Sequence, residues 1–311
     1  MIAFAGAIGD VLTSSTMYGS TVRFAALLVF AATGEWVAEK AGTMNISVEA
    51  MILTGSFTAA IGSYLGHSVW VGLVFGMLGG LLVSLIQANM SHRLGSNQFV
   101  VGLTLNVLAV GLTAYLNAKI NPTVTKAGAI RIPLLSRIPL VGGALFGQTW
   151  LLYLLFPLIP FAWWLVYRTR WGLEVRSVGE SPQAVDVSGI DVNKRRRQSV
   201  YFCGLCSGVA GAYLTIGQVG SFGADGVSGR GIIALAAVIL GGWTLKGTVG
   251  AAVVFGFFDA LRFALPALGH TVNPQLLATL PYAMALTTML LFAHRGRQPS
   301  ALTRPFVRGL T

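Results

Sequence analysis

From residue 17 onward this chain is a succession of apolar runs of bilayer length, separated by short polar punctuation. A hydrocarbon core of about 30 Å needs roughly 20 apolar residues per helix. Runs at 17–36, 45–65, 69–90, 97–118, 149–168, 198–220, 230–245, 248–266 and 274–293 reach or approach that length. The expected fold class is all-α: a polytopic integral membrane protein, one transmembrane domain over 1–311, with eight to ten transmembrane helices. The run 230–245 is short and 45–65 is polar near its start, so either is a candidate for a broken or re-entrant segment. Charge excludes a water-soluble surface: only 10% of residues are charged while 54% are apolar, against roughly 25% charged in an ordinary globular domain.

The net charge is +11, but the bases sit between hydrophobic runs instead of clustering beside aromatic or polar readers, so no nucleic-acid partner is expected. The densest group, Lys194 to Arg197, precedes one such run. Under the positive-inside rule the segment 169–197 is a cytoplasmic loop. The basic segment from His294 to Leu310 is assigned to the same side, and four runs between the two agree with that. Lys126, Arg131 and Arg137 then lie on the other side, against the bias. The first residues carry no basic region of the kind that opens a cleaved signal peptide.

Polar residues inside apolar runs are the candidates for function. In "GEWVAEKAGTMNISVEAMILTGS", Asn45 and Glu49 stand at i and i+4 and share one helix face. A carboxylate facing lipid costs at least about 2.5 kcal/mol at mid-bilayer. Two readings are open: the pair caps a helix that starts near Thr43, or it borders a solvated cavity between helices. Asn106 sits mid-run and suits either an interhelical hydrogen bond or a hydroxylated solute. Asp259 and Arg262 have the i, i+3 spacing of an ion pair. Cys203 and Cys206 form a "CGLC" in apolar surroundings that offer no thiolate stabilisation, so they read as small packing residues. Glycines recur at 217, 220, 223, 226 and 229 and read as a flexible extramembrane turn. The segment 42–55 aligns with 229–242 at Gly42/Gly229, Ile46/Ile233, Ala50/Ala237, Ile52/Ile239, Leu53/Leu240 and Gly55/Gly242. On the topology above the two run in opposite directions, so an inverted repeat is a possible plan.

Within 169–197, Ser181 suits an N-cap, Pro182 the first helical position and Gly189 the C′ position. A free-standing two-turn helix is expected there, with Ala184, Val185 and Val187 as its apolar residues. No phosphate loop of the Gly-x-x-x-x-Gly-Lys-Ser/Thr type occurs, nor a His-Glu-x-x-His or Gly-x-Ser-x-Gly motif. The four histidines are not clustered and no metal-ligand spacing is present. An enzyme, a metal site and a cofactor are all unexpected in this chain.

Four stretches, "GEWVAEKAGTMNISVEAMILTGSF", "LNVLAVGLTAYL", "VGESPQAVDVSGI" and "GIIALAAVILGGWTLKGTVGAAVVFGFFDAL", resemble the membrane permease subunits of bacterial ATP-binding-cassette importers. The branch is the one that holds branched-chain amino acid, ribose and nucleoside permeases, and the first stretch is closest to its nucleoside and simple-sugar subgroup. Gly34, Glu35, Glu39, Lys40, Gly42, Asn45, Glu49, Asn106, Gly179, Gly189, Gly241, Gly242 and Asp259 carry the match. Gln98 departs from it, standing where the subgroup often has an acidic residue. The resemblance implies a multi-pass protein of the bacterial inner membrane that translocates a nucleoside or simple sugar. It also implies partners: an ABC ATPase subunit that binds the ATP, a second permease subunit, identical or different, an extracytoplasmic solute-binding protein and the lipid bilayer. Asn45, Glu49, Asn106 and Trp243 are then the solute-path candidates. The helix marked by Ser181, Pro182, Ala184, Val185, Val187 and Gly189 is the lever that an ATPase would push. The polar stretch from Glu35 to Glu49 would straddle a cytoplasmic turn where such groups stay wet. An ion-coupled secondary carrier, using Glu49 and Asp259, and a membrane scaffold without transport are the competing readings.

Overall fold

The computed structural model describes residues 15–130, 142–223, 226, 227, 229–267, 274–292 and 298–306. Among them the backbone is helical apart from turns and a single bridge between Ala129 and Thr149. The helices are α1 (Ser15–Lys40), α2 (Val48–Gly66), α3 (Val69–His92), α4 (Gln98–Ile120), α5 (Gly142–Phe146), α6 (Leu155–Arg168), α7 (Arg170–Glu180), α8 (Pro182–Val187), α9 (Val192–Ala212), α10 (Arg230–Leu240), α11 (Leu245–Ala267) and α12 (Pro274–Phe292). Seven helical stretches among the described residues are long and apolar enough to cross a membrane, and Arg230–Leu240 is a shorter apolar helix. With α12 they fill the expected range, and the protein is a multi-pass membrane protein.

Two runs differ from their sequence boundaries for physical reasons. The run expected at 198–220 starts at Val192, because Asp191 accepts a hydrogen bond from the Lys194 N–H at 2.8 Å and caps α9 six residues earlier. Beyond Ala212 this helix widens into a π-helical stretch, Tyr213–Val219. The run 149–168 is divided: Trp150–Leu154 is a 3-10 turn, and α6 follows it with Pro160 inside.

The bundle is layered by burial. Helices α1, α2 and α9 are mostly buried, whereas α3, α4 and α6 turn large apolar side chains such as Trp70, Leu82, Val107 and Trp164 outward, as a lipid-facing shell does. Glycine sets the distance between the inner helices. A Cβ on Gly80 would lie 2.2 Å from the Gly204 carbonyl oxygen, and one on Gly208 would lie 2.4 Å from that of Gly76. Gly76 and Gly80 on α3 thus interlock with Gly204 and Gly208 on α9, each pair four residues apart. Apolar helices in lipid gain little from hydrophobic burial, so close packing of small residues carries their association. Cys203 and Cys206 serve the same end. Both are buried, and their backbone and Cβ atoms leave room only for Gly34 on α1.

One end of the bundle gathers the bases. The "KRRR" cluster is not a loop flank but the first turns of α9, and its members are bound individually. Arg195 pairs with Glu174, Arg197 reaches Asn89 at 3.3 Å, and Arg196 is fully buried. The Arg196 guanidinium donates to the carbonyls of Ala41, Ala301 and Arg304 at 3.2, 3.4 and 2.7 Å. The segment 298–306 is thereby strapped over the ends of α1 and α7, with Ala301 N–H bonded to Gly179 O and Thr303 N–H to Gly42 O. The loop 169–197 and the basic C-terminal segment therefore share one end, as expected. Lys126 lies at the other end, over Gly220; Arg131 and Arg137 fall outside the described residues.

Gly208→Leu is expected to drive α9 off α3 at a cost of about 1–3 kcal/mol or more, read as a lower melting temperature and reduced yield in detergent. Arg196→Met removes the donor to the buried carbonyls of Ala41 and Ala301 and to that of Arg304, each buried one worth roughly 1–3 kcal/mol if left unpaired. Limited proteolysis is expected to cut near residues 298–306 in that variant and not in the unaltered protein.

Candidate functional site

The polar stretch that opens the chain is built into the bundle instead of lying in water. Glu35, Glu39 and Asn45 are each 0% exposed, which corrects the expectation that they sit at a wet turn. The Asn45 N–H donates to Glu35 Oε1 at 2.9 Å. Asn45 Oδ1 accepts from the Ser47 hydroxyl at 2.7 Å and the Ser47 N–H at 3.2 Å. Its Nδ2 faces Met51 Sδ and Cys203 Sγ, both at 3.4 Å. Asn106, on α4, donates to the Ile46 carbonyl at 3.0 Å and accepts from the Ala50 N–H at 2.9 Å. Asn45 and Asn106 together therefore satisfy the backbone at the start of α2, which begins inside the bundle.

Trp243 is the counterpart at the end of α10. Its indole N–H donates to Glu39, and its carbonyl accepts from the Trp36 indole N–H at 2.8 Å. The backbone turns here through Gly242 and Trp243 with φ of 60° and 55°. A non-glycine residue in that region costs roughly 1–2 kcal/mol, which the two indole hydrogen bonds offset.

Helix α10 has 11 residues, about 16 Å at 1.5 Å per residue, or half of a bilayer core. It ends beside Glu39 at the basic end and so begins near mid-depth, as the sequence led one to expect of a short run. Its start meets the start of α2: Gly231 packs on the Glu49 backbone, and Glu49 Oε1 accepts from the Gly229 N–H at 2.8 Å. From that meeting point α10 runs toward the basic end, while α2 runs away from it to Gly66, where it packs on Val71 at the start of α3. The two aligned segments thus run oppositely from a common origin. The glycine-rich stretch before α10 is not wholly an extramembrane turn, because its last member, Gly229, lies at that origin.

Around Gly229 the charges converge. Arg230 Nη2 pairs with Asp259 Oδ2 at 3.2 Å, its Nη1 binds the Gly226 carbonyl, and its guanidinium lies 5.2 Å above the Phe24 ring. Asp259 therefore pairs with Arg230 across helices and not with Arg262, which instead stacks on Phe263 at 4.9 Å. Asp259 stands about 21 Å along α11 from Leu245 at 1.5 Å per residue, also near mid-depth. Tyr282 of α12 closes the group: a Cβ on Gly229 would lie 2.0 Å from its hydroxyl oxygen. That hydroxyl lies within electrostatic reach of Glu49, Asp259, Arg230 and Arg262. Of the sequence candidates, Glu49 belongs to this cluster, whereas Asn45, Asn106 and Trp243 stand in its supporting frame. Arg230 and Tyr282 went unread: Arg230 looked like a flank of an apolar run, and Tyr282 is an unremarkable aromatic in another.

The extramembrane segment is also more structured than expected. A separate helix, α7, precedes α8 and is pinned to α9 by the Trp171 indole N–H to Gln198 at 2.9 Å and by Glu174 to Arg195. Helix α8 is six residues long, with Pro182 in its first turn, Gly189 after it at φ 85°, and no capping bond from the Ser181 side chain. Val185 does not face outward: it packs with Val178, Val192, Ile190 and Phe306. Ala184 is exposed and Val187 is 90% exposed. Between α7 and α8 lies a groove of about 400 Å³ lined by residues that include Leu173, Ser177, Ala184 and Ser188.

Comparison with known proteins gives these features a family. The model for the branched-chain amino acid transport system/permease component matches residues 17–294. The guanosine ABC transporter permease protein NupQ of Bacillus subtilis is 32% identical over 95% of this chain and 97% of its own length. The nucleoside ABC transporter permease protein NupC of Lactococcus lactis is 31% identical over 88% and 91%. The putative glucose ABC transporter permease protein TsgC13 of Haloferax volcanii is 30% identical over 94% and 97%. No solved structure matches the chain. A bundle of apolar helices with two half-embedded starts, matched along nearly its whole length, is a permease: the chain belongs to the branched-chain amino acid transport system permease family.

Proposed function

We propose that this chain is the membrane-spanning subunit of an ATP-driven ABC importer that carries a nucleoside or simple sugar across the bacterial inner membrane. The observation that carries the reading is the mid-depth cluster of Glu49, Arg230, Asp259 and Tyr282 at the joined starts of α2 and α10. Ionisable groups at that depth mark a solute path, and discontinuous helices meeting at the midplane form the binding centre of many transporters. The relatives' names supply the solute class, since guanosine, nucleosides and glucose all present a hydroxylated ring. In this reading the frame of Asn45, Asn106 and Trp243 holds the path in register and the cluster contacts the solute.

The basic end faces the cytoplasm, in keeping with the positive-inside bias. There an ATPase partner docks on the segment 169–197, taking Ala184 and Val187 of α8 and the groove against α7 as its contact. Because Val185 ties α8 to α7, α9 and Phe306, a push on α8 is delivered to α1 and α9 as one body. ATP is bound by that partner, a second permease completes the path, and a solute-binding protein delivers cargo to the opposite end. An ion-coupled carrier is disfavoured by the pairing of Asp259 with Arg230, which leaves that carboxylate neutralised by protein.

Proteoliposomes holding the permease with its ATPase and binding protein are expected to accumulate labelled guanosine or glucose only with ATP on the basic side. Accumulation without the ATPase sinks the importer reading. Val187→Asp and Ala184→Asp, both on exposed positions, are expected to cut uptake at least tenfold while membrane insertion and melting temperature stay unchanged. Uptake at the unaltered rate removes α8 as the contact.

A further inference from the structure

Glu49 and Asp259 are held in the same way. Each commits one carboxylate oxygen to the protein: Glu49 Oε1 to the Gly229 N–H, Asp259 Oδ2 to Arg230. The second oxygen of each has no hydrogen-bond partner among the described residues. Neither is sealed off as a buried unpaired atom either. Glu49 is half-buried and Tyr282 is 42% exposed, so the group opens onto space beside α12.

The charge balance says what would occupy that space. One of the two carboxylates pairs with the Arg230 guanidinium, Arg262 lies within electrostatic reach of Tyr282, and the starts of two helices add partial positive charge. The cluster is close to neutral and already internally paired, so it offers a free ion little. What it does present is a set of oriented acceptors next to an aromatic ring. A neutral solute rich in hydroxyl donors is the complement: a carboxylate oxygen accepts from a hydroxyl more strongly than a neutral oxygen does.

We propose that Glu49 and Asp259 are specificity-determining residues that accept hydrogen bonds from vicinal hydroxyls of the solute's sugar ring, with the Tyr282 ring covering one face of that sugar. The inference rests on the permease reading above and adds which part of the solute is read at mid-membrane: the diol, not the base. Arg230 is a positioning residue, fixing Asp259 from one side while the Phe24 ring fixes Arg230 from the other. Glu49 is fixed by the N–H of Gly229, where a side chain would collide with the Tyr282 hydroxyl.

The test uses the complete importer in proteoliposomes with ATP and its own binding protein, which stays constant across variants. Uptake of guanosine is compared with that of 2′,3′-dideoxyguanosine, which lacks the ribose diol. Glu49→Gln and Asp259→Asn can keep the bonds to Gly229 and Arg230 through the amide oxygen, but they replace the free acceptor with an amide donor. Losing a hydrogen bond to a charged group costs roughly ten- to hundredfold in affinity. Each variant is therefore expected to raise KM for the hydroxylated member by about tenfold or more, with little change for its deoxy counterpart. Tyr282→Ala, at an exposed position, is expected to weaken both members alike. A ratio of the two uptakes that is unchanged in both carboxylate variants overturns the proposal and leaves Glu49 and Asp259 as packing groups, as does unaltered uptake in Tyr282→Ala. Failure of the unaltered importer to take up either guanosine or glucose overturns the solute class itself, and this inference with it.

Discussion

A helix that begins inside a membrane leaves its first backbone N–H groups without water, and each costs several kcal/mol unless an acceptor is built for it. Among the described residues, α2 and α10 are such helices. The start of α2 is served by Glu35, Asn45 and Asn106, and the start of α10 by Glu49. Three of those four side chains, Glu35, Asn45 and Glu49, belong to the polar stretch that interrupts the first apolar runs. Their presence follows from the backbone before any solute is considered. The same constraint gathers charge and helix dipoles where the two starts meet.

The supports of the two starts are shared. Glu35 and Glu39, one turn apart on α1, hold the beginning of α2 and the end of α10 respectively. Helix α1 is thus the spine to which both broken segments are fastened, and α9 is pressed against it where Gly34 meets Cys203. A displacement of α1 relative to its neighbours alters both segments together.

The membrane class and most spans were legible, because a long apolar run has a single reading at bilayer length. The short run at 230–245 declared itself by length, and the polar start of 45–65 by its asparagine and glutamate. The ion pair of Asp259 was misread because the i, i+3 neighbour Arg262 is visible in sequence while Arg230 approaches only through the fold. The inward turn of Val185 was likewise hidden, since a six-residue helix carries too little periodicity to show which side is covered. Spacing did carry one signal that went unread: Gly76 and Gly80, and Gly204 and Gly208, each stand four apart, the pattern of close helix contact. Interhelical bonding was one of two open readings for Asn106, and only three-dimensional placement shows the backbone groups of Ile46, Ser47 and Ala50 that Asn45 and Asn106 bind.

The strap at 298–306 has a bearing on biogenesis. Arg196 enters the membrane-proximal fold roughly a hundred residues before its partners Ala301 and Arg304 are synthesised, so its guanidinium waits with one of its three carbonyls in place. Phe306 likewise completes the apolar seat of α8 only after every described helix has left the ribosome. A nascent or truncated permease therefore displays an unfinished basic end, with an arginine that lacks most of its acceptors and is open to quality control.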